Sequence, residues 1–218
     1  MTSELIAKLL EPYAGLPIGQ TGGTVAEGAD WPGICEQLLI YLELIIKWNA
    51  RINLTAIRTP EEIIRRHFGE SLFVGAHLGA CGTLLDFGSG AGFPGVPIQL
   101  LRPEVQVTLA ESHGKKAAFL HEVVRSLNLP TEVWASRVES MPAARRFDGV
   151  TLRAVDDMNA AVREAGLRAR EQVLIVGTAR QSSYTGLAEN FRMDKPVPLP
   201  ESNGGVLWIA HRFDARHC

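Results

Sequence analysis

The chain has 218 residues, 46% of them apolar and 21% charged, with a formal net charge of -2. These are globular values, and the length suits one ordinary domain with a small extension. They exclude a disordered chain, a membrane-spanning one (no apolar run approaches the roughly 18 residues of a span) and a protein that grips bare nucleic acid by bulk positive charge.

Cys35, Cys81 and Cys218 are scattered and form no CxxC. That spacing predicts reduced thiols, neither a disulfide frame nor a zinc site, and no metal is expected. Without a signal-peptide pattern at the N-terminus, a cytoplasmic location is expected.

In chain order, Gly15 to Gly28 is rich in Gly, Pro and Thr and predicts a flexible excursion or insertion. From Trp31 the pattern turns helical. Pro32 suits a first turn, and Leu38, Leu39, Leu42, Ile45 and Ile46 recur at helical spacing up to Trp48. A second helix is predicted after Thr59-Pro60, with Thr59 as cap and Glu61 and Glu62 in its first turn, running past His67 to Val74. Residues 1–80 thus form a predicted helical extension packed on a core domain of residues 81–218.

Beyond Gly82 the pattern alternates. Predicted strands are Thr83–Phe87, Val105–Ala110, Glu132–Ala135, Gly149–Leu152, Val173–Val176 and Val206–Ala210. Predicted helices between them are Val96–Leu101, Lys115–Leu127 and Met158–Ala169. Such alternation gives an α/β fold, a mostly parallel sheet with helices on both faces, and ligands bind beyond the carboxyl ends of its strands.

The glycine bend falls at such an end. The strand Thr83–Phe87 delivers Asp86 into a turn holding Gly88, Gly90, Gly92 and Gly95. Glycines let backbone approach a ligand, and the acid is expected to hold one of its polar groups. Two frames compete. Gly90-Ala-Gly92-Phe-Pro-Gly95 matches the dinucleotide fingerprint GxGxxG, with Glu111 about twenty residues on. However, that match begins three residues after Phe87, and Phe93-Pro94 disfavours α geometry where its helix should already run. The frame Asp86-Phe-Gly88-Ser-Gly90-Ala-Gly92 suits S-adenosylmethionine, which has no pyrophosphate to cradle. Glu111 ends the second strand, where a carboxylate accepts both ribose hydroxyls of either nucleoside.

Several segments resemble the glucose-inhibited division protein B family. They are Asp86-Phe-Gly-Ser-Gly-Ala-Gly-Phe-Pro-Gly95, Val107-Thr-Leu-Ala-Glu-Ser112 with Lys115-Lys116, Ser136-Arg-Val-Glu139, Phe147-Asp-Gly-Val150 with Arg153-Ala154, and Trp48-Asn-Ala-Arg-Ile-Asn-Leu-Thr-Ala56 with His67 and Glu70 after it. The resemblance covers roughly Trp48 to Val155. It implies a Rossmann-like class I methyltransferase sheet that uses S-adenosylmethionine to modify a guanine N7 in 16S rRNA. Carried over by motif, Gly88, Phe93, Glu111, Val138, Glu139 and Arg153 are the implied cofactor contacts, beside Asp86 and Gly90 expected from the frame above. Glu111 stands where the family usually has aspartate. The family's Lys-Gly pair after the fifth strand is replaced here by Val176-Gly-Thr-Ala-Arg-Gln181.

N7 of guanine carries a free lone pair at neutral pH, so the expected catalysis is by alignment and exclusion of water, with no general base. Arg153 is expected to orient the purine or the donor carboxylate; its structural alternative is an ion pair with Asp148 or Asp156. Phe93 either stacks on a ring or plugs the core. His67 reads as a core-edge helical side chain, and Asn53 and Thr55 as fixing a turn through backbone bonds. Basic residues Arg51, Arg58, Arg65, Arg66, Lys115, Lys116, Arg125, Arg137, Arg145 and Arg146 are candidates for one rim of the pocket. With so little net positive charge, the expected partner is 16S rRNA presented by the small ribosomal subunit. A monomer suffices. A small-molecule methyltransferase and a non-catalytic nucleotide-binding domain are the alternatives.

Overall fold

In the computed structural model, residues 1–18, 24–28, 30–180, 184 and 186–213 are described. The chain opens with α1 (Ser3–Leu9), where the Thr2 side-chain oxygen accepts the Leu5 N–H and Ile6 and Leu9 are buried. Seven residues offer too little repeat for periodicity to reveal this helix. After α2 (Glu11–Ala14), the segment predicted as an excursion is tied down at both ends. Pro17 bridges Thr24, Val25 N–H donates to the Leu16 carbonyl at 2.8 Å, and Ile18 and Val25 are buried. Residues 19–23 lie outside the described residues, as does Cys218. The short α3 (Val25–Gly28) leads into α4 (Trp31–Asn49), capped by Asp30 on the Gly33 N–H at 3.2 Å. Its buried stripe is Leu38, Tyr41, Leu42 and Ile45, whereas Ile46 of the predicted repeat is exposed.

The second predicted helix is broken into three geometries. α5 (Pro60–Glu62) passes into a π-helical stretch, Ile63–Gly69, and then into α6 (Glu70–His77). Thr59 does not cap backbone; its hydroxyl donates to Glu62 Oε2 at 2.7 Å. A π turn is wider than an α turn. Tyr13 donates its hydroxyl to the Arg65 carbonyl (3.2 Å) and the Pro200 carbonyl (3.0 Å), and Ser71 Oγ donates to the His67 carbonyl. Gly69 permits this approach, because a Cβ there would lie 2.2 Å from the Tyr13 ring.

The sheet follows: β1 (Thr83–Phe87), α7 (Gly95–Leu101), β2 (Gln106–Ala110), α8 (Gly114–Ser126), β3 (Glu132–Trp134), β4 (Phe147–Arg153), α9 (Met158–Arg168), β5 (Ala169–Thr178), β6 (Phe191–Met193), β7 (Val197–Pro198) and β8 (Gly205–Arg212). The strand order is β3-β2-β1-β4-β5-β8-β6, with β7 also on β8. β1 to β5 run parallel, while β8 pairs antiparallel with β5, β6 and β7. All six predicted strands are present, and β6 and β7 are too short to have stood out. The predicted α/β fold, a mostly parallel sheet with helices packed on it, is the observed one.

Adjacent side chains along a strand face opposite sides. Leu84 joins a cluster with Leu109, Val96 and Leu120 that also takes in Leu10, Leu38, Ile45 and Phe68 of the N-terminal helices. Leu85 joins Phe87, Val150, Leu152, Val162 and Trp208 on the other face. The N-terminal helices therefore share the core of the sheet. The chain leaves β1 towards β2 and β3, then crosses back to β4 on the other flank. That reversal opens a crevice at the carboxyl ends of β1 and β4.

Tyr13→Phe removes the donor from the π stretch and from Pro200, and is expected to cost about 1 kcal/mol in urea unfolding with the slope unchanged. An unchanged midpoint would show that water replaces the hydroxyl at no cost.

Candidate functional site

The crevice has a volume of about 910 Å³ and is walled by the glycine loop, the ends of β2 and β4, the π stretch and residues 54–57. Gly88, Gly90, Phe93, Glu111 and Arg153 all line it.

The glycine loop is held from beneath. Asp86 is completely buried; Oδ2 accepts the Gly95 N–H and Oδ1 the Thr151 hydroxyl, each at 3.0 Å. Ser89 Oγ donates to the Asp86 carbonyl at 2.9 Å, and the Tyr41 hydroxyl donates to the Ala91 carbonyl. Gly88 and Gly90 take φ of +69° and +58°, in the left-handed region that a side chain disfavours. The expectation that Asp86 meets the ligand is therefore corrected: its carboxylate faces the loop's underside and fixes it. The same contacts close the dinucleotide frame. Gly95 N–H, at the start of α7, is spent on Asp86, and Gly95, Val96 and Pro97 are buried, so that helix end cradles no pyrophosphate.

Glu111 follows β2 directly. Oε2 accepts the Gly90 N–H at 2.9 Å and Oε1 the His113 N–H at 2.6 Å. The acid thus sets the loop's position, and each oxygen keeps a lone pair for a ligand. Val138 and Glu139 do not join this lining. Val138 is buried in the second core cluster, and Glu139 is exposed on a 3₁₀ turn, Val138–Ser140. The loop that carries them starts beside Glu111, whose N–H donates to the Trp134 carbonyl at 3.1 Å.

Arg153 ends β4, and its partner is neither Asp148 nor Asp156. Nη2 donates to Glu70 Oε2 at 2.6 Å, to His67 Nδ1 at 3.0 Å and to the Arg66 carbonyl at 3.3 Å. Both ion-pair members are nearly inaccessible, at 12% and 5% side-chain exposure. Burial pushes the Glu70 carboxyl up, opposed by Arg153 and Arg66; the guanidinium, which keeps its proton in proteins, holds the pair ionic. Nη1 is buried with no hydrogen-bond partner among the described residues. Asp148 instead accepts from Gly82 N–H, Thr83 N–H and the Thr83 hydroxyl, all at 2.9–3.0 Å, tying β4 to β1.

His67 and Phe93 stack at 4.6 Å between ring centroids, with Arg153 Cζ 5.9 Å from the Phe93 ring. Phe93 thus packs in the core and lines the crevice at once. An arginine only donates, so His67 Nδ1 accepts and Nε2 carries the hydrogen, which it donates to Thr55 Oγ1 at 2.7 Å. Glu70 and Asn49 were given no role of their own by the sequence, whereas Thr55, expected to fix a turn, does so by accepting the Ile57 N–H at 3.1 Å. Asn49, not Asn53, clamps the turn: Oδ1 accepts Leu54 and Thr55 N–H, and Nδ2 donates to the Thr55 carbonyl. Asn53 only accepts from Arg58 at 3.3 Å. The signal for Glu70 was an acid inside an apolar helical run, since such acids are almost never buried unless paired.

Of the basic residues proposed for a rim, Arg66 and Lys116 line the crevice. Arg65 pairs with Glu201, Arg145 with Glu132, and Arg146 donates to the Leu167 carbonyl. Among the described residues, no cluster is placed to hold a metal, and no helix is long and apolar enough to cross a membrane.

The family model described as GidB, rRNA small subunit methyltransferase G, matches residues 34–195. The ribosomal RNA small subunit methyltransferase G of Nitrosomonas europaea is 48% identical over 131 residues, which is 60% of this chain and 61% of that protein. The protein of the same name from Pseudomonas paraeruginosa is 39% identical over 180 residues, 78% of this chain and 84% of that one. The solved 16S rRNA methylase RmtB shares the fold at a TM-score of 0.56 and 11% identity, over 96% of this chain and 82% of its own.

His67 and Asp86 titrate with opposite consequences. Burial, then the charges of Arg153 and Arg66, lower His67 from 6.5 to about 3. Its unfolded form binds a proton first, so stability present above pH 6.5 is lost as pH falls towards 3. Burial raises Asp86 from 3.8 to about 6, against the hydrogen bonds of Gly95, Thr151 and Ser89. Its contribution is complete below 3.8 and is lost as pH rises through about 6. His67→Gln keeps an acceptor and a donor but does not titrate. The melting temperature of this variant relative to the parent is expected to climb as pH is lowered from about 7 to about 4. A pH-independent difference in scanning fluorimetry would mean that folded His67 protonates freely.

Proposed function

The chain belongs to the rRNA small subunit methyltransferase G family, and from this premise we propose that it uses S-adenosylmethionine to methylate N7 of a guanine in 16S rRNA of the small ribosomal subunit. The observation that carries the reading is the Glu111 carboxylate, set by Gly90 N–H at the mouth of a glycine loop and open to the crevice. The residues fit a methyl donor. Glu111 would accept from its ribose, the loop backbone at Gly88 and Gly90 would pass beside it, and Arg153, which lines the crevice, would orient its carboxylate or the purine. The loop carrying Val138 and Glu139 adjoins Glu111, and its backbone is the proposed neighbour of the donor's adenine. When bound, S-adenosylmethionine supplies an electrophilic methyl group whose departure leaves a neutral thioether.

The chain's own contribution is positional. Phe93, Leu54 and Ile57 give the crevice apolar walls that exclude water. No side chain has to remove a proton, because N7 already offers its lone pair, so aligning it is the main task. Arg66 and Lys116 give the crevice a positive margin suited to phosphate, which positions RNA without reading its sequence.

Transfer of labelled methyl to purified small subunits that lack the modification, followed by mapping of the labelled base, tests this function. The expected product is a single N7-methylguanine in 16S rRNA; labelling of free nucleosides but not subunits would overturn it in favour of a small-molecule enzyme. For the pocket, Glu111→Ala is expected to weaken S-adenosylhomocysteine binding by about 10-fold or more in calorimetry, from the loss of charge-assisted bonds. Gly88→Asp, which puts a side chain at φ +69° and a Cβ 3.2 Å from Val155, is expected to abolish it. Full affinity in either variant would move the donor site elsewhere.

A further inference from the structure

Thr55 lines the crevice, and its neighbours fix all its hydrogen-bonding roles. The hydroxyl oxygen accepts the Ile57 N–H at 3.1 Å and the His67 Nε2–H at 2.7 Å. A hydroxyl has two lone pairs and one hydrogen. Both lone pairs are spent, and no acceptor for the hydrogen is present among the described residues. The constraint is set from behind: Arg153 cannot accept, so His67 must accept from it on Nδ1 and donate on Nε2, and Thr55 must accept that bond. The outcome is an obligate donor facing a cavity.

The exposed edge of guanine beside N7 carries two acceptors, N7 and O6, whereas adenine presents N7 and an N6 amino donor. We propose that the Thr55 hydroxyl donates to O6 of the target guanine, selecting guanine over adenine while N7 is left free for the methyl group; this rests on the guanine-N7 reading above. An amino group at that position meets an oxygen with no lone pair left to accept it. The donor's neutrality matters as well. Methylation at N7 leaves positive charge on the purine, and a cationic donor on O6 would oppose it. Here the cation of the network, Arg153, is paired with Glu70, and His67 between it and Thr55 is uncharged. Thr55 touches the base; His67 and Arg153 are positioning residues that act through it.

The test pairs two substrates with three proteins: small subunits whose mapped target is guanine or 2-aminopurine, which lacks O6, and the parent, Thr55→Ser and Thr55→Val. On guanine, Thr55→Val is expected to lose about tenfold in kcat/KM and Thr55→Ser to stay within about threefold of the parent, the range of one hydrogen bond. On 2-aminopurine the parent falls to the level of Thr55→Val, and the substitution to valine costs nothing further. S-adenosylhomocysteine affinity stays the same throughout. Equal losses for Thr55→Val on both substrates would assign Thr55 a structural role and overturn the proposal. So would a parent that methylates 2-aminopurine as fast as guanine, an outcome that needs no variant to fold. If the parent modifies neither substrate, the function reading has failed rather than this one.

Discussion

A guanidinium with almost no access to water, that of Arg153 at the end of β4, holds the helical wall of the crevice against the sheet. It bonds Glu70, His67 and the Arg66 carbonyl, so one side chain spans the seam between the N-terminal helices and the strand. Such a pair adds little to stability, since desolvating two charges consumes most of their attraction. What it supplies is orientation. A donor-only group buried beside an imidazole dictates the tautomer, and the tautomer dictates what Thr55 presents. The π-helical stretch belongs to the same device. It presents the Arg66 carbonyl to Arg153 Nη2 at 3.3 Å, beside His67 and Glu70.

The opposite wall is held by Asp86, from below. By accepting the Gly95 N–H and the Thr151 hydroxyl it ties the end of the glycine loop to β4, and Tyr41 of α4 ties the loop's middle to the helical layer. A buried carboxylate is costly unless it is fully bonded, and this one is satisfied by donors from two different elements. Both walls therefore rest on buried charges whose bonds cross element boundaries. The N-terminal helices also share the sheet's core through aromatic packing: Tyr41 and Phe68 stack at 5.3 Å, and Phe93 packs on both.

Much of this was legible in the sequence. β1 and its glycine turn announce themselves by an apolar run that breaks on an acid and spaced glycines, and Glu111 by its place at the end of the next strand. Those features are local, and period-two patterning exposes them. Asp86 was misread because an acid at a strand end looks the same from either side; only the register of β4, which puts Thr151 beside Asp86, shows which way it faces. The partner of Arg153 was missed for the same reason. Asp148 and Asp156 are near in sequence, while Glu70 lies 83 residues away across a layer. The π stretch left no trace, because its apolar residues Ile63, Ile64 and Phe68 fit the α period well enough. Nor did spacing distinguish Asn49 from Asn53 within a motif that contains both.

Charge placement then links the fold to the chemistry. The molecule as a whole is slightly acidic, so distant phosphates are not drawn in by net charge. Positive groups at the crevice, Arg66 and Lys116, act only at short range, since exposed charges are screened within about 10 Å at ordinary salt. Within the crevice Arg153 is offset by Glu70 and His67 is held neutral, while Glu111 and Asp156 carry negative charge on the same lining. In the proposed reaction one positive charge moves from the sulfonium to the purine, so the total charge in the crevice is unchanged and what matters is which groups lie nearer the base than the sulfur. A bare cation beside the base would oppose that shift. Neither Arg153, paired with Glu70, nor the uncharged His67 supplies one.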